Sequence, residues 1–78
     1  MLSPNQVIDE YYLEVRCKLL EIGAILDRYD RAVHRTGDHS GDGDERIAKC
    51  RRALSILTSD PAGADRAEQV ALVFSDPA

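Results

Sequence analysis

Apolar residues recur along the first half of the chain with the period of a helix. Ile8, Tyr12, Val15, Leu19, Ile22, Leu26, Tyr29 and Val33 are separated by alternating steps of four and three, the spacing that keeps one seam along one side of an α-helix. The pattern predicts a single helix from about residue 4 to about residue 35, roughly 48 Å long at about 1.5 Å per residue. Its start is written in Ser3-Pro4-Asn5-Gln6: Ser3 as N-cap, Pro4 where its missing N–H costs nothing, and Gln6 completing a capping box. Asp9 and Glu10 follow near the positive end of the helix dipole. Arg31, His34 and Arg35 suit the negative end, and Gly37 is placed for a left-handed C-cap.

The period then breaks. Gly37-Asp38-His39-Ser40-Gly41-Asp42-Gly43 contains only turn-favouring and polar residues, so a loop is expected over about 36–43. Helical spacing resumes at Ile47, Cys50, Leu54 and Leu57, with Asp42 or Asp44 as N-cap, which predicts a second helix over about 44–58. Asp60-Pro61 ends it and supplies a new cap with proline inside it. A third helix is expected over about 61–75 with Ala67, Val70, Ala71 and Phe74 on one face, followed by a tail, Asp76-Pro77-Ala78.

These lengths imply an all-α domain in which the long N-terminal helix packs antiparallel against the two shorter ones. In such a hairpin Cys50 falls opposite about residue 30, more than ten residues from Cys17, whereas a disulfide needs Cα atoms within about 7 Å. The two cysteines are therefore expected as reduced thiols packed as small hydrophobes. A second apolar stripe, Leu13, Cys17, Leu20 and Ala24, lies roughly 140° around the first helix from the seam at about 100° per residue. One neighbouring helix cannot cover both. The main seam is expected to hold the return helices of the same chain, and the second stripe to meet a second copy, building a helical bundle about a two-fold axis, or a helix of another protein. The alternative is a monomeric three-helix bundle in which the third helix covers the stripe.

Composition supports the need for a partner. At 78 residues burial is marginal, and stability usually calls on a disulfide, a metal, very regular packing or a second subunit. The chain is 44% hydrophobic but has no Trp, one Phe and three Tyr, so aliphatic packing must carry the core. A net charge of −4 disfavours non-specific binding to nucleic acid. The basic cluster Arg46, Lys49, Arg51 and Arg52 lacks a neighbouring aromatic for base stacking and reads as a solvated helix face. Met1 to Tyr12 has neither a basic region nor an apolar stretch, and no apolar run approaches the roughly 20 residues of a membrane span. The expected location is cytoplasmic, with neither membrane nor nucleic acid as partner.

Candidate chemistry is sparse. Asp38-His39-Ser40-Gly41-Asp42-Gly43-Asp44 resembles the opening of an EF-hand calcium loop, with Asp38, Ser40 and Asp42 on its first three ligand positions and Gly43 on its invariant glycine. The resemblance then fails: Glu45 stands where an aliphatic residue is usual, and Lys49 replaces the bidentate Glu that closes such a site. Weak divalent-cation binding by Asp38, Ser40, Asp42 and Asp44 is the reading this loop allows, with calcium as the ion and otherwise no cofactor. Asp27, Asp30 and His34 share one side of the first helix, but Arg28 and Arg31 alternate with them, as on an ion-paired surface. Glu14 and Glu21 are two turns apart, about 10 Å, too far to share a proton. Ser55 and Cys50 sit mid-helix without a nucleophile motif. The chain is thus expected to be a non-enzymatic interaction or homodimerisation module, with Leu13, Cys17, Leu20 and Ala24 at its interface. A metal-binding protein, or an enzyme with a site between subunits, is the alternative.

Overall fold

In the computed structural model, residues 1–60 and 62–75 are described. Among them the chain is all-helical, and it divides into two compact units, Met1–Asp38 and His39–Ala78.

The first unit is one helix, α1, Pro4–Thr36, 33 residues and roughly 50 Å long. Its ends are closed by the residues that the sequence marks for them. The Gln6 amide donates to Ser3 Oγ at 3.2 Å, and the Ser3 amide donates to Gln6 Oε1 at 2.8 Å, so two N–H groups that a helix start leaves orphaned find partners. Asp9 and Glu10 lie beyond the first turn, which holds no acid; the dipole acts on them weakly. At the other end Gly37 adopts φ 70° and its amide donates to Val33 O at 2.7 Å. The Thr36 hydroxyl donates to Ala32 O at 2.7 Å and accepts from the Asp38 amide at 3.1 Å. The last four carbonyls of a helix have no partner within it, and the Gly37 amide supplies one to Val33 O.

The second unit holds a 3-10 turn, Ser40–Gly43, and two helices, α2, Glu45–Thr58, and α3, Arg66–Ser75. Asp44, not Asp42, caps α2: its carboxylate accepts from the Arg46 amide at 2.8 Å. The helix ends at Ser59, whose amide and hydroxyl both donate to Ile56 O. α3 starts at Arg66, five residues later than the spacing predicts; Pro61 and the expected 76–78 tail lie outside the described residues. The delay has a local cause. Ala64 takes φ 52°, a left-handed conformation that a helix start cannot contain, and the first intrahelical bond runs from the Gln69 amide to Asp65 O. The Asp65 carboxylate accepts from Gln69 Nε2 at 2.8 Å. Arg66 reaches back to donate from Nε and Nη2 to Ser59 O, tying the start of α3 to the end of α2.

α2 and α3 pack on one another. Ala53, 7% exposed, is the single buried residue among those described. Half-buried around it are Ile47, Leu54, Ile56, Gln69, Val70 and Val73. The expected faces hold in part: Ile47, Leu54 and Val70 are half-buried, while Cys50 and Leu57 are exposed on α2, as are Ala67, Ala71 and Phe74 on α3. Ala53 is small enough to let two helices approach closely, and Val70 and Val73, three apart, share one side of ten-residue α3.

Gly23 within α1 and Gly37 at its C-cap give opposite expectations. Gly37→Ala places a Cβ in the left-handed region and should destabilise α1 by about 1 kcal/mol. Gly23 lies mid-helix and an added Cβ meets nothing within 4 Å, so Gly23→Ala should stabilise α1 by up to about 1 kcal/mol. Thermal melts followed by circular dichroism at 222 nm check both signs.

Candidate functional site

α1 carries the largest apolar surface of the chain, and no residue on it is buried. Leu13, Cys17, Leu20 and Ala24 stand on one face and are all exposed, Leu13 at 66% and Leu20 at 63%. On the seam Ile8, Tyr12, Val15 and Leu19 are exposed, Leu19 at 57%, as are Ile22 and Leu26, while Tyr29 and Val33 are half-buried. Tyr11 and Ile25, also exposed, widen the seam on one flank. Asp9, Arg16, Gly23 and Asp30 recur at intervals of seven along its other flank. The charges on α1 are unevenly spread: Asp9, Glu10 and Glu14 precede any cation, whereas Arg28, Arg31 and Arg35 outweigh Asp30 at the far end. Glu14 pairs with Lys18 at 3.7 Å on an exposed surface, a contact worth only about 0.3–0.5 kcal/mol.

Cys17 and Cys50 are free thiols, but neither is packed away as expected; both are exposed. On α2 Ala53 is buried and Ile56 half-buried while Cys50 is exposed, and Cys17 belongs to the exposed stripe of α1.

The loop residues are engaged with their neighbours. The Asp38 amide is held by Thr36. His39 Nδ1 lies 3.1 Å from Asp42 Oδ2, with both side chains more than half exposed. Asp44 is the most constrained carboxylate. Beyond capping α2 it accepts from Arg46 Nε at 3.0 Å and Nη2 at 2.7 Å, a bidentate pair. Hydrogen bonds from the Arg46 side chain and amide hold its carboxyl down to about 2 from the ordinary 3.8. A cation at Asp44 would have to displace that guanidinium. Among the described residues, no group of three or more His, Cys, Asp and Glu side chains is placed to hold a metal ion, Asp27, Asp30 and His34 among them. Of the basic cluster, Arg46 is committed to Asp44, while Arg51 and Arg52 border an open groove.

That groove is the feature the hydrophobic pattern does not reveal. Arg51, Arg52, Ser55 and Ile56 of α2 and Gln69, Leu72 and Val73 of α3 line a depression of about 640 Å³. Its wall is an edge of the helix pair, so it depends on how α3 is rotated against α2, and periodicity leaves that rotation open. Its lining holds no acid, nucleophile or imidazole pair beyond the lone Ser55, which gives it no acid–base chemistry. Among the described residues, no helix is long and apolar enough to cross a membrane.

The depressed Asp44 carboxyl links the α2 cap to acidity. Its ordinary value lies above its value in the fold, so the unfolded chain takes up the proton first. The stabilisation is complete above about pH 5 and is lost as pH falls through about 2. Asp44→Asn keeps an N-cap acceptor and cannot titrate; its helicity by circular dichroism should lack the step that the native chain shows in that window.

No family model matches this chain, and no curated protein or solved structure matches it significantly either.

Proposed function

We propose that this chain is a non-enzymatic helical interaction module that works through α1, pairing with a second copy or with a helix of another protein. The observation that carries the reading is the exposure of both apolar stripes of α1, from Ile8 to Leu26 on the seam and from Leu13 to Ala24 on the second face. An exposed helix of this length needs tertiary packing of an amphipathic face for most of its stability, and contiguous exposed apolar surface marks association sites.

Magnitudes separate the two faces. Half-burying an aliphatic or aromatic side chain contributes about 1 kcal/mol, so with both copies counted the seam from Ile8 to Val33 offers about 16 kcal/mol at most. Leu13, Cys17, Leu20 and Ala24 of both copies together offer about 6 kcal/mol. Association costs about 4–15 kcal/mol in lost freedom, which leaves the seam the larger surplus. In its full form the proposal is a bundle: α2 and α3 return antiparallel along α1 on one side, and a partner helix lies on the other. The Leu13, Cys17, Leu20 and Ala24 face is a supporting contact within that bundle.

Light scattering at micromolar chain concentration, with thermal melts over a dilution series, tests the reading. The native chain should exceed the mass of one chain and melt at lower temperature on dilution. A charge inside the contact, Leu19→Glu on the seam or Leu20→Glu on the second stripe, should return the mass to a single chain for whichever face is used. A native chain of single-chain mass, with melting independent of concentration and no stabilisation by an added amphipathic helix, would sink the proposal.

A further inference from the structure

We infer that two copies of this chain pair through α1 in antiparallel orientation, along the Ile8–Val33 seam, about a two-fold axis between Leu20 and Glu21. The inference rests on the reading of α1 as an interaction helix and says which partner it takes and how. In this arrangement every seam residue meets one of like character: Ile8 the partner's Val33, Tyr12 the partner's Tyr29, Val15 the partner's Leu26, and Leu19 the partner's Ile22. Each sum of paired numbers is the same, and the axis falls at the middle of Pro4–Thr36, so almost the whole helix overlaps.

Area favours this face. A strip about 50 Å long and about 10 Å wide on each helix amounts to about 1,000 Å² for the pair, which reaches the lower bound of specific interfaces. The stripe from Leu13 to Ala24 spans about 17 Å and gives about 340 Å² on the same basis, in the range of incidental contacts.

Charge favours the antiparallel direction. In that direction the same flank of each helix meets its equivalent, so Arg16 and Asp30 share a rim with the partner's Asp30 and Arg16. Arg16 and the partner's Asp30 are offset by about 7.5 Å along the axis. Helical side chains lean toward their own N-terminus, so these two lean toward each other, and symmetry makes the pair twice. Asp9 and the partner's Asp30 share the rim but lean apart. Within one helix Arg16 and Asp30 are roughly 21 Å apart and cannot satisfy each other. A parallel pair in register sets the flank of Asp9, Arg16, Gly23 and Asp30 against the flank of Tyr11, Lys18, Ile25 and Ala32, and forms none of these bridges. It also sets the two helix dipoles side by side in the same direction, whereas the antiparallel pair opposes them.

The test uses the full chain with Cys17→Ser and Cys50→Ser, spin-labelled through Glu10→Cys or, separately, Glu21→Cys, and pulsed dipolar spectroscopy. The antiparallel pair predicts about 40 Å between labels at Glu10 and roughly 25 Å at Glu21, while a parallel pair gives roughly 25 Å at both. Arg16→Asp should weaken the dimer about tenfold, and adding Asp30→Arg should restore it. Leu19→Glu should abolish the dimer, and Leu20→Glu should leave it. Equal short distances, or no restoration by the double exchange, overturn the antiparallel register while leaving self-association standing. A dimer that survives Leu19→Glu overturns the choice of face. A single-chain mass at all concentrations overturns self-association itself.

Discussion

A single helix cannot bury its own side chains, and this constraint governs the molecule. α1 alternates its apolar residues to keep them on one seam, and adds a second stripe opposite, yet nothing within a helix can cover either. Stability of α1 in isolation comes only from its backbone bonds, its caps and weak side-chain pairs such as Glu14 with Lys18, each small beside the entropy of ordering the chain. Its apolar surface is therefore potential energy of association rather than a core already formed. In the pairing we propose, partner choice turns on length and charge, through the length of the seam and the polar rim beside it.

The second unit meets the same difficulty on a smaller scale. Two short helices share a contact centred on Ala53, and Ala53 alone among the described residues is buried. So little buried area leaves local devices with an unusual share of the work. Asp44 both caps α2 and grips Arg46, and Arg66 anchors the start of α3 to the last turn of α2. The groove beside Ile56 and Leu72 is what remains when two helices touch along one line only.

These devices also bear on the loop from Asp38 to Asp44. A calcium loop needs its carboxylates aimed inward at one point. Here the Asp44 carboxylate is turned to its own helix and to Arg46, His39 faces Asp42, and Ser40–Gly43 forms a 3-10 turn. The acidic letters are those of a metal loop, but capping is a nearer use for at least Asp44.

Local signals were legible because they act over one turn. Ser3-Pro4-Asn5-Gln6, Gly37 and Asp44 each mark a helix end through contacts among residues a few positions apart, and seven-residue periodicity places the seam and the Leu13–Ala24 stripe on definite faces of α1. What periodicity cannot specify is which face a neighbour selects. Val70 is covered as its spacing predicts, but Cys50, Leu57 and Phe74, with the spacing of core residues, are exposed while Ala53 and Val73 are covered, because close approach depends on the size of the residue at the crossing and on both helices at once. The start of α3 escaped for a related reason: Asp60-Pro61 reads as a cap, but the left-handed Ala64 and the bonds of Asp65 and Arg66 form only once the turn is folded back on α2. Sequence by itself determined α1 and α2 with their caps and the apolar faces; the tertiary structure decided where α3 starts and which faces meet, since contact is a property of two surfaces and periodicity of one.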